Sequence, residues 1–173
     1  KKYLKRKRAY KDLFRHLSLP LPENLNLPDN QMDKIPLLKI VKKIEQKIIK
    51  FKPNTVITHY SNCLNIDHRI TFKAVITACR PLPGSSVKKI LSFEVPSSTD
   101  WAIFEGNNFK PNYFIDISQH LNNKINLLKF YKDELREYPH SRSIKAIKSL
   151  ASVRGVSCGT KYAEGFYLNR LID

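Results

Sequence analysis

Several features are scarce or missing in this 173-residue chain, and each absence removes a class of protein. No apolar run approaches the roughly 20 residues that a membrane-spanning helix needs. Runs such as Thr55-Val-Ile-Thr-His59 and Ile115-Asp-Ile117 are strand-sized. The basic opening, Lys1-Lys-Tyr-Leu-Lys-Arg-Lys-Arg8, is followed by no apolar stretch and no small-residue cleavage site. It is therefore not read as a secretory signal, and a cytoplasmic location is expected. Cysteine is limited to Cys63, Cys79 and Cys158, with no C-x-x-C pair. Three thiols without an export signal point to reduced side chains that fill core space. The nucleophile elbow, the phosphate-binding loop and the dinucleotide fingerprint are also missing, so covalent hydrolase, nucleotidase and dehydrogenase chemistry has no support. Acids are few: 15 Asp and Glu stand against 31 Lys and Arg, a net charge of +16.

What is present describes a folding chain. With 42% hydrophobic and 27% charged residues, the composition is globular, and the length suits one domain over residues 1–173. The basic residues crowd the start, where Lys1, Lys2, Lys5, Arg6, Lys7, Arg8, Lys11 and Arg15 oppose a single acid, Asp12. Two interpretations stand: a solvated helical face, and a surface for nucleic acid. The first is preferred because no RNA-binding motif or basic recognition helix accompanies the cluster. Aromatics on this segment, Tyr3, Tyr10 and Phe14, are read as core contacts, and His16 and His120 as surface residues.

Periodicity orders the elements. A weak helical pattern covers about Tyr3–Leu17. A strong one covers Leu37–Phe51, where Leu37, Ile40, Val41, Ile44 and Ile48 share a face opposite lysines. Thr55–Tyr60 is β-branched and mostly apolar, as a strand buried on both faces of a parallel sheet should be. A polar loop, Ser61–Asp67, leads into a helix over Ile70–Cys79. Strands follow at Lys89–Val95 and Tyr113–Ile117. Ser118 is then expected to cap a helix over Gln119–Tyr138, and a last helix spans about Ser143–Val153. The order predicts an α/β fold: a Rossmann-like, mostly parallel sheet flanked by helices. In such sheets ligands sit beyond the carboxyl ends of the strands. That directs attention to the loop after Tyr60 and to the turn Pro28-Asp29-Asn30. There Asn65, Asp67, His68 and Arg69 sit at a helix start, where Asp67 suits the positive dipole end and a neutral His68 can ligate a metal. An ordinary helix cap beside an ordinary histidine explains the same residues. His59, at the strand end, is read as a packed histidine.

Taken together, several segments form a more specific pattern: Leu27-Pro-Asp-Asn-Gln-Met-Asp33, Leu64-Asn-Ile-Asp-His-Arg69, Ala78-Cys-Arg-Pro81, Phe93-Glu-Val-Pro-Ser-Ser-Thr-Asp-Trp101, Phe109-Lys-Pro-Asn112, Tyr138-Pro-His-Ser-Arg-Ser143 and Tyr162-Ala-Glu-Gly-Phe166. In this order they resemble the LmbE-like, PIG-L family of zinc-dependent N-acetylglucosaminyl deacetylases. The resemblance implies the LmbE/PIG-L deacetylase fold, zinc as cofactor and hydrolysis of the N-acetyl amide of an N-acetylglucosamine-type sugar or conjugate. By position, His68 resembles the family's third zinc ligand. Asp67 resembles a carboxylate that orients a histidine beside the oxyanion, and Asn65 stands where that histidine would be. Asp29 falls in the loop that contacts the sugar, with Gln31 in place of a common arginine. His140 and Arg142 match a motif near the site mouth, and Glu164 is either part of the site or a structural acceptor.

The family's opening A-H-P-D-D-E segment, which brings two zinc ligands and the general base, has no counterpart in these residues, so the zinc site is expected to be incomplete and the first strand-helix segment missing. A partial chain of a longer enzyme is the preferred explanation, since Thr55–Tyr60 would otherwise be an exposed apolar edge. An inactive, sugar-binding remnant is the alternative, and a basic nucleic-acid-binding module a weaker one. Self-association is left open.

Overall fold

The computed structural model describes residues 2–104, 106 and 109–173. Lys1 and the side chains of Lys2 and Tyr3, which belong to the basic cluster and the aromatic contacts expected above, lie outside the described part. The chain divides into two compact units: a helical unit of Lys1–Asn24 and Ile115–Glu164, and a sheet unit of Leu25–Phe114 and Gly165–Asp173.

In the sheet unit, α2 (Leu37–Phe51) is the helix the periodicity predicts. Its apolar stripe buries Ile40 and Val41 against Met32 and Ala74, with Ile44 and Ile70 at the margin. Lys52, in the left-handed region at φ 44°, ends it by returning its amide to Ile48, and Pro53 prevents continuation. Strand β1 (Thr55–His59) then leads to α3 (Ile66–Ala78). This helix begins four residues earlier than its apolar period suggests, because Asn65 supplies the cap: its side-chain oxygen accepts the amides of Asp67 and His68. A second cluster, Val75, Cys79, Val87 and Ile90, joins α3 to β2 (Lys89–Phe93).

The strands β1, β2, β4 (Ala163–Leu171) and β3 (Tyr113–Asp116) form one sheet in the order β1-β2-β4-β3. β1 and β2 run parallel, from Thr55 opposite Lys89 to His59 opposite Phe93. β4 pairs with β2 antiparallel, with a register shift at Ile90/Leu91. The sheet is thus mixed. β4 is an element that the sequence did not disclose. Its residues Glu164, Asn169 and Arg170 interrupt the apolar pattern, and Asn169 spends its amide on the buried Ser92 hydroxyl at 2.8 Å. One expectation is corrected here: β1 is not buried on both faces. It forms the sheet edge, and Ile57 at its centre is 53% exposed.

The helical unit contains α1 (Lys2–His16), α4 (Leu121–Leu128), a 3-10 turn (Lys129–Tyr131) and α5 (Ile144–Val156). Its core is Ile117, Leu121, Ile125, Ile147 and Ala151. The expected long helix over Gln119–Tyr138 is shorter, and Ser118 does not cap it. The Ser118 hydroxyl instead accepts the Tyr162 amide at 3.2 Å, tying the chain to the segment before β4. Ser143 does cap α5, through the Ala146 amide at 3.1 Å. Near the end of α5, Gly155 is required by space. A Cβ there would stand 2.6 Å from the Thr160 carbonyl oxygen, which is backbone and cannot swing aside.

Candidate functional site

The carboxyl end of β1 and the amino end of α3 gather the polar side chains that the sequence singled out in this region. His59, the last residue of β1, lies face to face with His68 on the first turn of α3, with ring centres 4.0 Å apart and planes 18° from parallel. Phe93 of β2 packs against His59 from another side at 4.8 Å. Burial, then the nearby His68, pushes the His59 imidazole down to about 4. It is therefore neutral at ordinary pH, and its Nδ1 is buried without a hydrogen-bond partner.

Asp67 is a clamp. One carboxylate oxygen accepts the Asn30 amide at 2.6 Å and the other the Met32 amide at 3.0 Å. Asn65 adds a further tie, donating its side-chain amide to the Asn30 Oδ1 at 3.0 Å. Asn30 holds a left-handed conformation, φ 56°, which asparagine tolerates better than most residues. The Pro28-Asp29-Asn30 turn, with Asp29 exposed on it, is thus fixed to the start of α3. The loop between β1 and α3 is braced as well. The Arg69 guanidinium donates to the carbonyls of Cys63 and Leu64, each at 2.7 Å.

From the sequence, Cys63 is expected only to fill core space, and its neighbours go unseen. The thiol is fully buried. It donates to the Ser98 hydroxyl at 3.0 Å, and its sulfur lies 3.0 Å from the Nδ1 of His68. Burial by itself would raise this thiol. Hydrogen bonds that His68, Ser98 and the Asn65 amide give to the ionised sulfur outweigh that and bring it down to about 7. The one signal for this contact in the sequence is the five-residue separation of Cys63 and His68 across a helix start.

His140, Arg142 and Glu164 belong to the helical unit. There the His140 Nδ1 accepts the Arg142 amide at 3.0 Å, and Arg142 pairs with Glu134 at 3.0 Å. Glu164 accepts from Lys124 at 2.5 Å.

A catalytic zinc typically takes three protein donors and keeps one position open. Among the described residues no three His, Cys, Asp or Glu side chains are gathered that could hold a metal ion. Both Asp67 oxygens are occupied by backbone amides, and His68 is anchored through its Nδ1, which leaves Nε2 as the ring nitrogen for a ligand. The residues present therefore do not fit zinc by themselves. Also among the described residues, no helix is long and apolar enough to cross a membrane.

An α/β scaffold with its polar residues at a strand end and a helix start defines a class of fold that hosts hydrolytic and related enzymes. The resemblance to the PIG-L, LmbE-like family is shown. Residues 2–79 match that family, described as GlcNAc-PI de-N-acetylase, and the fold agrees over nearly the whole chain. The structure is similar to N,N'-diacetylchitobiose deacetylase from Pyrococcus horikoshii, solved with its inhibitor MPG (TM-score 0.71, 18% identity, 96% of this chain and 64% of that one). It is similar to a conserved protein of Thermus thermophilus (TM-score 0.73, 16% identity, 98% and 74%). It is also similar to GalB, the 4-carboxy-2-hydroxymuconate hydratase of Pseudomonas putida (TM-score 0.63, 14% identity, 98% and 73%). A hydratase on the same scaffold shows that fold alone does not name the reaction. No curated protein matches the sequence. The chain spans less than two thirds of the length of the chitobiose deacetylase.

Proposed function

We propose that this chain carries part of the site of an N-deacetylase, an amide hydrolase that frees acetate from an N-acetylglucosamine-type sugar or sugar conjugate, with zinc as its metal. The observation that carries the proposal is His68: an imidazole held at the mouth of β1, stacked on a neutral His59 and anchored through Nδ1, within the stretch that matches the de-N-acetylase family. In this proposal His68 is one donor to the metal, and the remaining donors lie outside the described residues. Asp67 positions, because its carboxylate holds the amides of Asn30 and Met32 and so fixes the turn from which Asp29 meets the sugar. Asn65 uses one side-chain N–H on Asn30 and keeps a second that can bond a developing oxyanion, but an amide cannot deliver a proton. The sugar-binding roles of His140 and Arg142 enter on the family resemblance alone.

The single-donor set favours a second reading, a sugar-binding remnant without catalysis. Acetate release from N-acetylglucosamine derivatives, with bound zinc measured alongside on the protein in its natural full length, separates the two. Turnover that His68→Ala lowers by about 100-fold or more is expected. Sugar binding without zinc or acetate would establish the remnant, and absence of all three would remove both.

A further inference from the structure

We infer that Cys63 is a positioning residue: together with Ser98 it holds the His68 ring in the Nδ1–H form, leaving an unprotonated Nε2 to meet the ligand. The inference rests on the proposed role of His68 as the ligand-facing side chain, but not on zinc.

The bonds around the buried sulfur settle the direction. Three polar side-chain atoms approach it: the Ser98 Oγ at 3.0 Å, the His68 Nδ1 at 3.0 Å and the Thr99 Oγ1 at 3.8 Å. A thiol has one proton, and here it goes to the Ser98 Oγ. Thr99 donates to the sulfur, while its oxygen accepts the Val95 amide at 2.8 Å. With the thiol proton committed to Ser98, the short contact to His68 is an N–H···S bond, so the hydrogen of the neutral imidazole sits on Nδ1. A neutral imidazole carries one N–H, and Nε2 therefore keeps its lone pair. A thiolate, which can only accept, enforces the same form. Ser98 is itself fixed: its hydroxyl also accepts the Asn65 amide at 3.3 Å, its carbonyl accepts the Leu64 amide at 2.8 Å, and its own amide donates to Asp100 at 3.0 Å. The stacked His59 fixes the ring plane.

The thiol thereby does what a carboxylate or backbone carbonyl does for many ligating histidines: it fixes the tautomer from behind. The consequence is chemical. Nε2 pairs with a positive centre or a hydrogen donor, namely a metal cation, a water or a sugar hydroxyl, and not with a carbonyl oxygen. His140 shows the opposite state. Its Nδ1 accepts the Arg142 amide, so its hydrogen sits on Nε2.

Long-range proton–nitrogen NMR of the histidine rings in the full-length protein, recorded above the ordinary histidine titration range, tests this. His68 is expected as Nδ1–H and His140 as Nε2–H in the wild type. Cys63→Ser, which keeps one donor and an acceptor, retains the His68 pattern. Cys63→Ala loses it, while the His140 pattern stays and reports an intact fold. An Nε2–H pattern for His68 in the wild type overturns the inference, as does an unchanged Nδ1–H pattern in Cys63→Ala. Should Cys63→Ala fail to fold, the wild-type spectrum and the retained pattern in Cys63→Ser decide. Zinc added to the wild type tests the proposed function separately. A moved Nε2 resonance supports it. An unmoved one counts against zinc and leaves the Cys63 assignment supported by the tautomer.

Discussion

In the sheet unit, polar side chains reach far along the sequence. Asp67 holds the amides of Asn30 and Met32, Ser98 holds Cys63 and Asn65, and Asn169 holds Ser92. In the helical unit the polar contacts are more often ion pairs in solvent, such as Arg15 with Asp12 at 3.0 Å or Lys5 with Asp133 at 3.2 Å. Arg142–Glu134 is the better sheltered of its described pairs. Exposed pairs contribute little, whereas a partly buried carboxylate that accepts two backbone amides fixes a loop. The two units therefore use polarity differently. One immobilises loops at the end of β1, as a site requires; the other keeps its excess cations in water.

That contrast can be broken most forcefully in the sheet unit's core. Ile40→Ala, at a position 1% exposed, removes the centre of the α2–α3 packing and should cost ~4 kcal/mol in urea denaturation. A loss below about 1 kcal/mol would mean that this core is looser than described.

Acid comes next. His59 has a folded-state pKa of about 4 against an ordinary 6.5, so an unfolded chain takes up the proton first as pH falls. Its contribution to stability is complete above pH 6.5, declines as pH drops toward about 4 and is flat below. The limit is on the order of 3 kcal/mol. Urea midpoints across this range should fall less steeply in His59→Asn than in the wild type, and parallel slopes would contradict the assignment.

The smallest effect is expected in the helical unit. Ser143→Ala deletes the α5 cap and should cost ~1 kcal/mol. Hydrogen exchange should quicken at the first turn of α5 and stay unchanged in α3.

Much of this was legible from the residues. The apolar stripe Ile40, Val41, Ile44 and Ile48 makes α2 legible, with a period of about 3.6 residues, although Leu38, Ile49 and Phe51 fall outside it and are exposed. The strand at Thr55 and the polar loop after it were equally clear. β4 was not, since Glu164, Asn169 and Arg170 give it a pattern that resembles neither a buried nor an alternating strand. Ser118 has the chemistry of a cap, but a partner distant in sequence, Tyr162, claims its hydroxyl. In the site, the D-H pair and its position were readable from local order. The Cys63–Ser98 contact was not, because it joins residues 35 positions apart that no periodicity connects.

Asn65 carries a lesson for anyone retrofitting this chain. Placing an imidazole at this position through Asn65→His would remove the acceptor on which the amides of Asp67 and His68 rest, and with it the donor to Asn30. The swap would gain a proton carrier and lose the seat beneath its neighbour, so a working transplant has to bring a new helix start along with the new ring.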